Sequence, residues 1–402
     1  MRPFRDLIPF DRALSVLMEN VYEIGEWERV PLEDAAGRVL AEDVIAQIDV
    51  PPFDRAAEDG YALIAEDTFG AGQYDPKEFR VIGKINTGEY KDIEVKHGTA
   101  VEVATGALIP KGANAVVRVE DTEREGDNLK VYRAVHPGFD IAPRGEDIKS
   151  GDTVLRKGEY LTPAKVGAIA ALGMPSVKVF RKPQVGILPT GDELVRPGEK
   201  ITPGKIYDVN SYTLISVVKE NGGIPKVYPY VRDTIEDIEA KLDLALENDI
   251  VVFSGGSSVG ERDLLIDVVS RRGNVLFHGV QIKPGKPTWA AIVDGKLVLG
   301  MPGFPTSCLN DAYQFLIPAL RKMAHLPARM ERVVRAKMAR RITSTLGRAQ
   351  FFTVRLEGDL AYPAYKTSGA ITSLANSDGY IIIPATVDLV EKGEEVEVHL
   401  WR

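Results

Sequence analysis

Cysteine is almost absent: Cys308 stands alone in 402 residues. A single thiol excludes an intramolecular disulfide, and a chain of this length without a disulfide framework fits a reducing compartment. Inside a helical pattern with apolar neighbours and no nearby histidine, Cys308 reads as a packing residue. Histidine is scarce as well. His97, His136, His278, His325 and His399 lie far apart, which excludes zinc-type ligand spacing. No stretch approaches the roughly 18 apolar residues of a membrane span. The opening run from Met1 has neither the apolar core nor the small-residue cleavage site of a leader. The expectation is a cytoplasmic protein without membrane contact. Basic charge is not in excess: 50 Lys and Arg face 58 Asp and Glu, for a net charge of −8. That balance disfavours a general nucleic-acid binder. It leaves room for a local cationic pocket, because a field follows the position of charges and not their sum. No repeat and no low-complexity stretch is present.

What remains is ordinary globular composition, 44% hydrophobic and 27% charged, in a chain long enough for two to four domains. Residues 9–21 carry Leu14, Leu17, Met18 and Val21 at helical spacing. Residues 47–140 change to short strand-like runs (80–85, 99–104, 115–120, 129–135) between glycine-containing turns. Residues 160–173 read as a helix capped by Thr162, with Pro163 in the first turn and Gly173 as the stop. This predicts a small β-rich domain, 47–140, inserted into a discontinuous helical platform and dimerisation domain, 1–46 with 141–180. From 181 to 328 strands alternate with helices at 210–220, 234–247, 263–271 and 306–322, and Asp294-Gly295 marks a tight hairpin. Such alternation predicts an α/β domain on a mostly parallel sheet. Residues 329–402 turn strand-like again and predict a C-terminal β barrel. The basic run 321–348 reads as a solvated or ion-pairing face.

The most informative segment runs from Asp249 to Asp263. An apolar strand passes into Ser254, Gly255, Gly256, Ser257, Ser258 and Gly260, then into a helix. Glycines let the backbone approach an anion, and the first helical N–H groups point at it. Lys283-Pro284-Gly285-Lys286 adds two cations on a stiff turn. Parallel strands place their following loops on one edge, where ligands of such sheets bind. Those loops hold Thr190, Gly191, Asp192 and Glu193, then Asp233, then the glycine-rich loop to Asp263, then Pro302 and Gly303. Carboxylates beside a phosphate cradle suit Mg²⁺, which shares oxygen ligands between protein and phosphate. Taken singly these are weak signals. Asp233 before Thr234, and Asp263, could each be a helix cap, and the lysines could be solvated. Glu193 has no such role in capping or packing. Asp59-Gly60 on local grounds favours a turn, and so does Thr105-Gly106.

Together, Asp59-Gly-Tyr-Ala, Thr105-Gly-Ala-Leu-Ile-Pro, Leu161-Thr-Pro-Ala, Pro189-Thr-Gly-Asp-Glu-Leu, the segment from Ser254 to Asp263, Lys283-Pro-Gly-Lys-Pro and Met301-Pro-Gly-Phe-Pro resemble the molybdopterin molybdotransferase family, of the MoeA type and the gephyrin E domain. The resemblance runs from about residue 7 to the end. It implies a multidomain α/β plus β fold with the four domains above. It implies insertion of molybdenum, from molybdate or tungstate, into adenylylated molybdopterin with release of AMP. It implies a homodimer whose active cleft pairs the α/β domain with the partner's inserted domain. The adenylyltransferase that makes the substrate and the enzymes that accept the cofactor are further implied partners. By resemblance, Asp59, Thr105, Glu193, Asp233, Asp263, Lys283 and Lys286 are functional, with Glu193, Asp233 and Asp263 as candidate Mg²⁺ ligands, and so is one C-terminal serine, Ser368 or Ser373. Ser257, Phe304 and Cys308 depart from the usual family residues, which bears on pocket shape.

Overall fold

The chain alternates short apolar runs with glycine turns, and each run finds a sheet. The computed structural model describes residues 7–255 and 264–401. The chain divides into two compact units, one of Arg29–Ala36 with Leu40–Lys178, the other of Met1–Glu28, Gly37–Val39 and Val179–Arg402.

In the first unit, six strands form one sheet in the order Ala115–Arg118, Gly60–Leu63, Thr99–Val103, Lys77–Ile85, Asn128–Val131, Thr122–Glu125. Tyr61, Leu63, Phe79 and Val117 pack on one face, and Ala62, Ile85, Val101 and Val116 on the other. This alternation is the period-two signature of a strand. The Asp59-Gly60 pair does not form a turn. Gly60 opens a central strand, and a Cβ there would collide with the Val117 carbonyl. Close approach of a neighbouring strand explains the glycine. Helix Pro163–Ala171 starts as expected. The Thr162 hydroxyl accepts the Lys165 N–H, Pro163 occupies the first turn, and Gly173 leaves the helix at φ 73°.

In the second unit, a six-stranded sheet runs in the order Ile224–Val227, Gln184–Pro189, Ile250–Ser254, Lys296–Met301, Trp289–Val293, Gly273–His278. The first four strands are parallel, Trp289–Val293 runs against them, and Gly273–His278 pairs antiparallel with Trp289–Val293. The change of direction is the Asp294-Gly295 hairpin, whose residues both take positive φ, 49° and 77°, as a two-residue turn matching strand twist requires. One face is covered by helices Phe10–Glu19, Asn210–Glu220, Pro305–Asp311 and Ile317–Met323, the other by Ile235–Ala245 and Leu264–Arg272. The stretch predicted as one helix, 306–322, is two helices joined by a π turn at Ala312–Leu316. Pro318, which has no N–H to donate, follows the widened turn.

The C-terminal strands Ala349–Glu357, Leu360–Pro363, Val333–Met338, Glu395–Leu400 and Gly379–Ile383 pair in that order, and the last returns to the first. The closed five-stranded barrel leaves no free edge. The short strand Ile282–Lys283 pairs in parallel with Ala349 and Gln350, so the two-lysine segment is stitched to the barrel. Among the described residues, no helix is long and apolar enough to cross a membrane.

Candidate functional site

Three central parallel strands end side by side, and their loops interlock. Beyond Pro189, the Thr190 N–H donates to the Ser254 carbonyl at 2.9 Å. Beyond Ser254, the Gly255 N–H donates to the Met301 carbonyl at 3.0 Å. The fourth strand joins through a parallel bridge between Thr190 and Val231. Gly255 takes φ 104°, and a Cβ there would strike the Thr190 carbonyl, while one on Gly303 would come within 3.5 Å of the Gly255 Cα. Gly255 is needed for backbone contact between the loops, whereas a side chain at 303 would make only an ordinary contact. Thr190, Ser254 and Pro302 are buried, whereas Asp192, Glu193, Asp233 and Gly303 are exposed. The edge therefore presents acids over a packed glycine floor. Gly256, Ser257, Ser258, Gly260 and Asp263 lie outside the described residues.

Glu193 folds back over this floor. A Cβ on Gly191 would sit 2.5 Å from Glu193 Oε2 and 2.7 Å from its Cδ, so the carboxylate lies directly on the Gly191 Cα. Gly191 also takes φ 142°, a conformation that disfavours side chains. Gly191→Ala is expected to push the flexible carboxylate aside. A crystal structure of the variant should show the Glu193 carboxylate displaced from its place over residue 191.

Asp233 is not a helix cap. Thr234 takes that place, its hydroxyl accepting the Asp237 N–H at 3.3 Å while the Asp237 carboxylate accepts the Arg232 N–H at 2.8 Å. Thr234 is thus the cap residue, and the exposed Asp233 precedes it. Among the described residues, no group of three His, Cys, Asp or Glu side chains could hold a metal ion. Two exposed carboxylates on neighbouring loops fit instead a hard cation that completes its shell with water and phosphate oxygens.

Helix Pro305–Asp311 gathers the remaining parts. Its Thr306 N–H donates to the Ser368 carbonyl at 3.0 Å, and the Thr306 hydroxyl to the Ala370 carbonyl at 2.9 Å. The Asn310 amide reaches the Pro284 carbonyl at 3.4 Å, and Asp311 meets the Thr288 hydroxyl. One helix thus touches the Met301 loop at its start, the serine-bearing segment on one side and the two-lysine loop on another. The Lys283 ammonium donates to the Thr345 hydroxyl at 3.1 Å, and Lys286 is half-buried. The two candidate serines differ. Ser373 is fully buried and accepts the Lys366 N–H at 3.0 Å, a structural duty. Ser368 is half-exposed, 3.3 Å from the Tyr365 hydroxyl. Phe304 is exposed and its ring lies over Gly369. Burial holds the Cys308 thiol well above its ordinary pKa, with nearby Asp311 adding to the effect, so Cys308 is no nucleophile.

In the other unit, Asp59 and Thr105 meet. Asp59 Oδ1 accepts the Thr105 N–H at 2.6 Å and the Thr105 hydroxyl at 2.8 Å. The backbone bond, then the hydroxyl, hold the Asp59 carboxyl below its usual range. It is exposed and ionised at neutral pH.

Sequence reasoning passed over three buried polar residues here. Asn210 donates to the Gly303 carbonyl at 2.9 Å, and Thr288 and Asp311 brace the two-lysine loop. The one available signal was Asn310-Asp311, a polar pair inside an otherwise apolar helical stretch. A separate groove of about 750 Å³ is lined by Thr213, Leu309, Tyr313, Leu374, Asp378 and Trp401. None of the predicted site residues lines it.

Three family models match the chain in order. They are the MoeA N-terminal region (domain I and II) at residues 8–173, a probable molybdopterin binding domain at 186–322, and the MoeA C-terminal region (domain IV) at 335–401. A molybdopterin biosynthesis protein of Methanocaldococcus jannaschii is 37% identical over 415 residues, covering 100% of both chains. A molybdopterin molybdenumtransferase of Staphylococcus aureus is 30% identical over 378 residues, covering 92% of this chain and 90% of its own. The crystal structure of a molybdopterin biosynthesis MoeA protein from Pyrococcus horikoshii superposes with a TM-score of 0.86 at 40% identity, covering 99% of this chain and 100% of that one.

Proposed function

The chain belongs to the MoeA family, and we propose that it is a molybdopterin molybdenumtransferase that inserts molybdenum into adenylylated molybdopterin with release of AMP. The observation that carries this reading is the gathering of three strand-end loops, the two-lysine loop and the Ser368 segment around one helix. An anhydride-bearing nucleotide and a tetrahedral dianion both need what these loops offer: close backbone, cations and a hydroxyl.

In this reading the loop from Ser254 through Gly255 approaches the pyrophosphate of the bound nucleotide. Glu193 with Asp233, or Asp263, would hold Mg²⁺, which when bound neutralises charge on the phosphoanhydride. Lys283 and Lys286 bind the molybdate or tungstate dianion and stabilise negative charge as an oxygen of that dianion, or of water, bonds to the anhydride phosphorus, the bridging P–O bond breaks and AMP leaves. The half-exposed Ser368, in preference to the buried Ser373, donates to an oxygen of the same dianion. The pterin dithiolene supplies the sulfur ligands to the metal, so the step needs no protein nucleophile. We place the active form as a cytoplasmic homodimer in which Asp59 of the partner subunit, held ionised by the partner's Thr105, closes the site. Phe304 shapes the mouth, where the family more often carries asparagine.

The test offers the purified protein two substrate pairs. Adenylylated molybdopterin with molybdate should release AMP in proportion to molybdate supplied. ATP with molybdopterin should release no pyrophosphate. The reverse pattern would make the protein an adenylyltransferase and end this reading.

A further inference from the structure

Helix Pro305–Asp311 buries an acid where a helix facing a sheet would ordinarily bury a hydrocarbon. Asp311 is fully buried. Its carboxyl meets the Thr288 hydroxyl, and the same hydroxyl lies 2.7 Å from the Gly285 carbonyl. The Asn310 amide lies 3.4 Å from Asp311 Oδ1 and 3.4 Å from the Pro284 carbonyl. Gly285 takes φ 116°, and a Cβ there would collide with Asp311 Oδ1. The turn between Lys283 and Lys286 is therefore seated on the carboxyl group itself. Thr288 has one hydroxyl hydrogen and two acceptors. The Gly285 carbonyl also accepts the Thr288 N–H at 3.1 Å, and an acid carrying its own proton can donate to Thr288 while Thr288 donates to Gly285. A lone ionised carboxylate at full burial would be costly. The groups acting on this one are burial itself, then Thr288 and Asn310, with no cation among them.

We propose that Asp311 is a positioning residue for the two-lysine loop, a neutral carboxylic acid that fixes the Pro284-Gly285 turn through Thr288 and so sets the separation of Lys283 and Lys286. The functional weight of that loop rests on the reading given above. Burial pushes the Asp311 carboxyl from 3.8 up to about 8. Nearby titratable groups are Cys308 on its own helix, which is held neutral, buried Asp208, which acts on Cys308, Tyr212, Lys219 and Glu220 on the packed helix Asn210–Glu220, and Lys283 and Lys286 on the loop, the first engaged with Thr345; none of them is among the groups acting on Asp311. Since the folded pKa lies above the unfolded one, the folded state keeps a proton that the unfolded chain releases between pH 4 and 8. Stability contributed by the neutral acid is present below about pH 4 and is lost as pH rises through about 8.

Asp311→Asn keeps a donor toward Thr288 and an acceptor toward Asn310, and cannot titrate. From pH 5 to 8 the unfolding constant of the parent protein should rise about tenfold per pH unit relative to Asp311→Asn. Above pH 8, the protection factors of the Lys283, Gly285, Lys286, Thr288 and Trp289 amides should fall in the parent and not in Asp311→Asn. Asp311→Ala should lose loop protection at every pH, and Asp311→Asn should restore it. Parallel pH profiles for the parent and Asp311→Asn would overturn the proposal, as would undiminished loop protection in Asp311→Ala. If Asp311→Ala does not fold, the comparison with Asp311→Asn still decides. These readouts need no substrate. Failure of AMP release with these results intact would remove the proposed reaction and leave Asp311 in place.

Discussion

Glu193→Ala should lower AMP release from adenylylated molybdopterin by a hundredfold or more while leaving the melting temperature unchanged. The separation follows from where Glu193 sits. Its backbone is tied to the fold, with its carbonyl accepting the Ile206 N–H at 2.9 Å. Its side chain is exposed and rests on a glycine without filling any core. Removing it opens no cavity and orphans no buried donor, so the usual routes to instability are absent. What is lost is a preorganised charge at the strand ends. Loss of one such group at a reacting centre typically costs about 10²–10³ in rate. Full activity in Glu193→Ala would take this residue out of the mechanism. A collapsed melting temperature would make it structural.

Asp249→Ala should show the reverse, a large loss of stability with an intact site. Asp249 opens the strand Ile250–Ser254 at the end away from the glycine loop. Its carboxylate accepts from both Arg181 guanidinium arms at 2.6 and 2.9 Å, from the Gln184 N–H at 2.8 Å and from the Tyr22 hydroxyl at 3.3 Å. Burial drives its pKa up, but Arg181 and the Gln184 N–H outweigh burial and hold it below the usual range. With Asp249 only 3% exposed, removing it strands a partly buried guanidinium and a backbone donor. Breaking such a buried pair costs about 3 kcal/mol, or roughly 5–10 °C in a domain of this size. The sign with pH follows from the lowered pKa. The contribution is present above the ordinary aspartate range and lost as pH falls through the folded value, so the parent should lose its advantage over Asp249→Ala in acid. Thermal melts across pH check both statements. A change under 1 kcal/mol at neutral pH would contradict the account of this cluster.

Much of this was legible in the sequence where one physical rule acted alone. The α/β alternation was clear because buried parallel strands are short apolar runs, as in Ile250–Phe253, and because Asp294-Gly295 between two apolar runs favours a tight hairpin. Thr162, Pro163 and Gly173 marked both ends of one helix. Legibility failed where a distant neighbour decided the outcome. Gly60 looks like a turn residue until the Val117 carbonyl leaves no room for a side chain. Val333–Met338 hides in a basic run because Arg335 and Lys337 face outward, Arg335 reaching Glu395 on the neighbouring strand at 3.6 Å, while Ala336 and Met338 face in. Asp233 and Thr234 compete locally for one cap, and the Asp237 carboxylate settles it by bonding the Arg232 N–H. The acids, lysines and strand-end glycines of the site could be named because their residue types announce charge or close approach. Asp311 and Thr288 could not, because a buried hydrogen-bonded acid has no signature until its partners fold around it.

In the proposed reaction Lys283, Lys286 and Ser368 surround one oxyanion beside the strand ends. Soaking crystals with tungstate and locating tungsten by anomalous scattering tests it directly. Tungsten should give a single strong peak within hydrogen-bonding reach of both lysine ammonium groups and the Ser368 hydroxyl, weakened in Lys286→Ala. A peak elsewhere, or binding unaffected by that substitution, would contradict it.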